Sequence, residues 1–216
     1  MPADIDRLMN NARTRLPGAI DTGMQLELFN VMDDFFKGSN VWNEDIELSV
    51  PGLDPAGTIY ELVPTGPALI DKLAWVFTKP TSATISRGSG IAASMQTPGE
   101  LVLDTQPSSD VVYLVTVILT VQDPTLRNGY VTFPAWVLAK YREAILDGLL
   151  GRMMSQPNKP YTNNQLAVLH MRKFKQATTS AHGEWRRNNT YRMQAWAFPR
   201  FAGGTQRGRS SWGGPV

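Results

Sequence analysis

The chain has 216 residues, 21 Lys and Arg against 19 Asp and Glu, and no cysteine. That length holds one compact domain, or a helical unit carrying an inserted one, and the lack of thiols excludes disulfides, a thiolate nucleophile and zinc-thiolate sites. The net charge of +2 hides a segregation: residues 1–60 hold ten acids against four bases, a net of −6, whereas from Arg172 onward nine bases face Glu184 alone, a net of +8.

The opening MPADIDRLMNN lacks the basic and then apolar pattern of a secretory signal, which together with the missing cysteines fits a cytosolic origin. Residues 4–15 predict a first helix with Ile5, Leu8, Met9 and Ala12 on one stripe, broken by Pro17-Gly18. A second helix is expected over 19–37. Its two apolar stripes, Ile20, Met24, Leu28, Val31 and Phe35 beside Leu26, Phe29, Met32 and Phe36, require neighbours on more than half its girth.

From 41 to 133 the period changes to two. Expected strands are 46–50, 58–63, 72–78, 83–86, 90–95, 100–104, 111–121 and 130–133. Leu73, Trp75 and Phe77 are expected on one face, residues 105–110 are expected to close a hairpin, and VVYLVTVILTV reads as a central strand. That last run is about half the length a helix needs to span a bilayer, so no membrane association is expected.

Helix returns at Pro134, a first-turn residue in this reading, and runs to about Ser155. Gly148 and Gly151 stand inside its apolar run, although glycine in a helix interior costs about 1 kcal/mol relative to alanine. With Ala144 they form a stripe at i, i+4 and i+7 with almost no side chain, along which another helix can approach closely. After PNKPY the next helix is expected to start at Thr162 as N-cap, with Gln165 completing a capping box and Leu166, His170, Phe174, Ala177 and Ala181 facing inward. The short connection makes it antiparallel to its predecessor.

After Gly183 an arm is expected that interleaves Trp185, Tyr191, Trp196, Phe198, Phe201 and Trp212 with Arg186, Arg187, Arg192 and Arg200. Trp, Tyr and Arg dominate interface hot spots, and the same mixture can track phosphates and stack bases. The fold class is therefore α+β: an antiparallel helical bundle (1–40 and 134–183), an inserted antiparallel β domain at 41–133, sandwich or barrel, and an extended arm at 184–216.

Catalytic and ligand-binding patterns are weak. Gly88-x-Gly90-x-x-Ala93 fits the loose dinucleotide fingerprint, but no helix is expected after it, so it reads as a turn. His170 lies on an apolar stripe and reads as a hydrogen-bonded core residue, and His182 as a capping residue near its helix's C-terminus, where a cation favours the dipole. Asp33-Asp34 and the acids around Glu44 to Glu47 read as a solvated face. No catalytic, metal-binding or cofactor-binding residue is assigned, and the chain is not expected to be an enzyme.

The stretches DDFFKGSNVWNEDI at 33–46 and FPAWVLAKYREAILDGLLGRMMSQPNKPYTNNQLAVLHMRKF at 133–174 resemble the head-to-tail adaptor proteins of tailed bacteriophages. The similarity is greatest to the gatekeeper-like or tail-tube adaptors of short-tailed phages, and it covers the helical parts at both ends. The resemblance implies a homo-oligomeric ring, commonly a dodecamer, located in the virion at the head-tail junction. It also implies contacts with the portal protein above and a tail or nozzle protein below, with genomic DNA passing through the channel without sequence-specific binding. The residues after Gly183 would grip the portal. Two alternatives remain open: a nucleic-acid-binding protein using the arm, and a tail-completion or neck protein lower in the stack.

Overall fold

In the computed structural model of the chain, which describes residues 3–55, 57–80, 89–122 and 133–188, the first helix α1 is Ala3–Arg15. Its expected stripe of Ile5, Leu8, Met9 and Ala12 is buried. Helix α2, Asp21–Ser39, starts two residues later than the periodicity suggests. Met24, Leu28, Val31, Met32, Phe35 and Phe36 are buried, but Ile20 and Leu26 are 73% and 57% exposed, so the stripes are narrower than expected at the helix's start. Asn40 ends α2 in the left-handed region at φ 58°, its N–H donating to the Phe36 carbonyl at 2.9 Å.

Two three-stranded antiparallel sheets follow. One has the order β1 (Asn43–Val50), β6 (Val111–Val121), β3 (Ala68–Thr78), and the other β2 (Ile59–Glu61), β5 (Glu100–Leu103), β4 (Ala93–Met95). Neither closes into a barrel. As its continuous apolar run requires, β6 is central. The hairpin expected at 105–110 does not form, because β5 and β6 belong to different sheets. The expected strand at 83–86, and all of 130–133 except Phe133, lie outside the described residues.

Strand β3 also corrects the expected face. Register shifts between Ile70 and Lys72 and between Leu73 and Trp75 insert an extra residue at Asp71 and at Ala74. Leu73 opposite Val117 therefore looks the same way as Val76 opposite Val115, and Trp75 and Phe77 are turned to the other side. The side of Val76 joins both sheets in one core with Tyr60, Leu101, Leu103, Tyr113 and Val115. On the other side Thr120 Oγ1 donates to Asp33 Oδ1 of α2 at 2.6 Å and Lys72 Nζ donates to the Lys37 carbonyl at 3.1 Å, fastening the sheet to the helix.

Helix α3 is Ala135–Met154, with Pro134 at the N-cap rather than inside the first turn, and it bends at Tyr141 (φ −117°, ψ 18°). Helix α4 is Asn164–Asn188. The expected capping box is replaced: the Asn163 side chain accepts from the Leu166 N–H at 3.1 Å, while Thr162 donates back to the Gln156 carbonyl at 2.6 Å. Contacts of α3 with α4 run Lys140 with Glu184, Asp147 with His170 and Gly151 with Met171, so the two are antiparallel as expected. The buried residues of α4 are Ala167, Phe174 and Ala181, a seven-residue repeat. Leu166, expected inside, is 42% exposed because the seam follows Ala167 instead.

Ala144, Gly148 and Gly151 are buried in α3. A Cβ on Gly148 would lie 2.6 Å from Val31 Cγ1 and 2.8 Å from Phe174 Cδ2, and one on Gly151 would lie 2.7 Å from Met171 Cγ. Close approach is thus the reason for both glycines. At Gly148 it involves three helices, since Val31 is in α2 and Phe174 in α4.

Candidate interaction site at the end of helix α4

The end of α4 brings together residues far apart in sequence. Helical structure passes through Gly183 and ends only at Asn188, so Trp185, Arg186 and Arg187 belong to the helix and not to an extended arm. The ring of Trp185 stacks on Trp75 of β3, with centroids 5.1 Å apart and planes 12° from parallel. On its own helix it also stacks with His182, at 5.6 Å and 29°. His182 is consequently a packing residue six positions before the helix end rather than its C-terminal cap.

Around Trp185 opens a shallow cavity of about 210 Å³, lined by Val41, Asn43, Trp136, Tyr141 and the pair Lys140 and Glu184. Lys140 Nζ meets Glu184 Oε2 at 2.6 Å and lies 5.1 Å from the Tyr141 ring centroid, and the Tyr141 hydroxyl donates to the same carboxylate oxygen at 3.3 Å. The hydrogen bond from Lys140 holds the Glu184 carboxyl below its ordinary range. Glu184 and then Tyr141 hold the Lys140 ammonium above its own. The bend of α3 at Tyr141 sits beside this pair, and the Tyr141 ring packs 5.1 Å from Phe35. Arg186 and Arg187 are exposed in the last turn, where cations complement the helix dipole.

Of the proposed arm residues, Trp185, Arg186 and Arg187 are therefore placed, whereas Tyr191, Arg192, Trp196, Phe198, Arg200, Phe201 and Trp212 lie outside the described residues. Trp75, Trp136, Lys140 and Tyr141 were not singled out from the sequence as members of this site. Trp75 precedes Trp185 by 110 positions, and no local pattern links them. Trp136, 46% exposed at the start of a helix, carries the one local signal: a large aromatic off the apolar stripe.

The other chemical candidates resolve as structure. His170 Nδ1 pairs with Asp147 Oδ1 at 2.7 Å with both side chains mostly covered, in keeping with a hydrogen-bonded core role. The acids face solvent as expected, Asp34, Asp45 and Glu47 being exposed and Asp33 and Glu44 half-buried, but each is also engaged by a partner. Asp33 holds Thr120 and Lys37, Asp34 pairs with Arg152, Glu44 accepts from the Thr65 N–H, Asp45 from Thr116, and Glu47 pairs with Lys79. Gly90 bridges to Phe77 and strand β4 follows rather than a helix, while Gly88, and with it the expected turn, lies outside the described residues. Among the described residues no cluster of His, Asp and Glu could hold a metal, and no helix is long and apolar enough to cross a membrane. No protein-family model matches the chain, and no curated protein matches it significantly.

Proposed function

We propose that the chain is a structural, non-enzymatic adaptor of a phage virion. In this reading it forms a ring, commonly of twelve copies, between the portal and the tail or nozzle, and extends the channel through which DNA leaves the head. Its α1, α2, α3 and α4 are read as one bundle, into which the two sheets are inserted as a small sandwich. The observation that carries the reading is the root of the C-terminal segment. Trp185 stacks on Trp75 of the β unit and with His182, so the 28 residues after Asn188, with their arginines and aromatics, start beside the place where the two units meet. A rigid launch point lowers the ordering entropy lost when such a segment meets a partner. The expected partner is the portal.

Light scattering after size-exclusion chromatography tests this, with the full chain and a chain ending at Asn188, each alone and mixed with a portal ring. The expected result is a ring-sized complex with portal for the full chain only. Full-length chains that never join a portal refute the adaptor reading. The exposed cations Arg172, Lys173 and Lys175 favour a second reading, nucleic-acid binding, whose mark is a DNA affinity that falls steeply with salt.

A further inference from the structure

Two outward faces of the chain carry opposite charge, and each joins that charge to exposed apolar side chains. The first is the solvent side of α4. Its seam uses every seventh residue, and outside it Leu166, Val168 and Leu169 are 42%, 61% and 45% exposed. About one turn further on stand Arg172, Lys173 and Lys175, exposed and without an ion pair among the described residues.

The second face is the outside of the sheet β2–β5–β4. Tyr60 and Leu101 are buried in its core, so strand alternation turns Ile59, Glu61, Glu100 and Val102 outward. The register sets Ile59 opposite Val102 and Glu61 directly opposite Glu100. Like charges directly opposite each other destabilise a sheet. Neither carboxylate has a cation beside it among the described residues, and exposed Val63 extends the apolar part past Glu61. Within one copy this arrangement is a net penalty, and a basic, apolar partner surface would relieve it.

We propose that these two faces are the halves of one contact between copies: the α4 face of one chain sits on the outer β2–β5–β4 face of the next. The proposal rests on the ring reading above and names the surfaces that would join its subunits. Leu166, Val168 and Leu169 cover Ile59, Val63 and Val102, and the three cations reach the Glu61–Glu100 pair. Because the two faces differ, the contact is heterologous, the kind that builds a ring when the rotation between copies closes. Its charged part is exposed before docking, so association quickens at low salt and weakens as ionic strength rises.

Charge reversal on each side tests the pairing. One chain carries Glu61→Lys and Glu100→Lys, the other Arg172→Glu, Lys173→Glu and Lys175→Glu; all five positions are exposed, and far-UV circular dichroism checks the fold of both. Sedimentation velocity follows the wild type, each variant alone and their equimolar mixture over a concentration series at low salt. Wild-type chains are expected to assemble, and each variant alone to do so about a hundredfold more weakly, as juxtaposed like charges at an interface do. The mixture is expected to recover assembly, because each variant then finds its complementary faces only on the other. Assembly that either variant leaves unchanged overturns this contact while the ring reading stands, to be decided by the portal mixture. Loss in both variants without recovery overturns it as well, and so do wild-type chains that stay single up to their solubility limit. A triple variant that still assembles and loses only a DNA probe assigns the α4 cations to nucleic acid and overturns the proposal. If a reversed chain misfolds, Glu61→Gln with Glu100→Gln takes its place, and the same series must show weakened assembly.

Discussion

Alanine at Gly148 and alanine at Gly183 make the same chemical change with opposite expected signs. Gly183 lies inside α4, and a Cβ there meets nothing within 4 Å, so Gly183→Ala is expected to stabilise by about 0.5–1 kcal/mol through backbone entropy alone. At Gly148 the same entropic gain is opposed. The new Cβ would sit 2.6 Å from Val31 and 2.8 Å from Phe174, residues that are 0% and 4% exposed. Carbon atoms prefer about 3.5–4.0 Å, so α2 or α4 must move by nearly 1 Å, and such overpacking costs about 1–3 kcal/mol. Subtracting the helix gain leaves Gly148→Ala destabilising by about 1 kcal/mol, a fall in melting temperature of about 2–4 °C for a chain of this size. Calorimetry or thermal circular dichroism on the two variants reads the signs directly. Val31→Ala and Gly148→Ala together should cost less than the sum of the two alone, because Val31→Ala removes the Cγ1 that the new Cβ meets. A rise in melting temperature for Gly148→Ala comparable with that of Gly183→Ala would refute the close-packing account of both glycines in α3.

Three further outcomes are expected. Thr120→Val removes the bond that the buried Thr120 hydroxyl donates to Asp33 and should cost about 1–2 kcal/mol, seen as a lower urea midpoint with an unchanged slope; no shift would mean that α2 and β6 are held by apolar contacts alone. Glu184 has its carboxyl pKa lowered in the fold by the Lys140 hydrogen bond, so its contribution is present above the ordinary glutamate range and is lost as pH falls through the folded value. The melting-temperature gap between wild type and Glu184→Gln should accordingly shrink in acid, and a gap that widens there contradicts the pairing. Near-ultraviolet circular dichroism should contain a coupled band from the stacked indoles of Trp75 and Trp185, abolished alike by Trp75→Phe and by Trp185→Phe; a band lost in only one of the two variants would disprove the stack.

Features with a strong one-dimensional period were legible in the sequence. The stripe of α1, the central place of β6 and the bare stripe of Gly148 and Gly151 each follow from spacing within one element. Features that depend on an inserted residue or a distant partner were not. The faces of β3 flip at Asp71 and Ala74 because bulges there add residues without any Gly or Pro to mark them. Residues 105–110 have the composition of a tight turn, which is equally suited to a strand changing sheets, and composition cannot separate the two. In α4 a 3.6-residue stripe and a seven-residue seam differ by one position at Leu166 and Ala167, and only the facing helix decides between them. The interaction site was half legible. Its Trp and Arg stood out by type, but Trp75 and the Lys140–Glu184 pair reach it through tertiary folding.

The seven-residue count along α4 does not stop at Ala181. One more repeat lands on Asn188, the final residue of the helix and a lining residue of the cavity beside Trp136. The direction in which the chain departs is therefore phased by the same repeat that seats α4 on α3. A single residue inserted between Phe174 and Asn188 would swing that departure by about 100° around the helix axis. Deleting a whole heptad would keep its bearing and draw it back by about 10 Å, at 1.5 Å per residue. In this chain helix length works as a compass setting as well as a spacer.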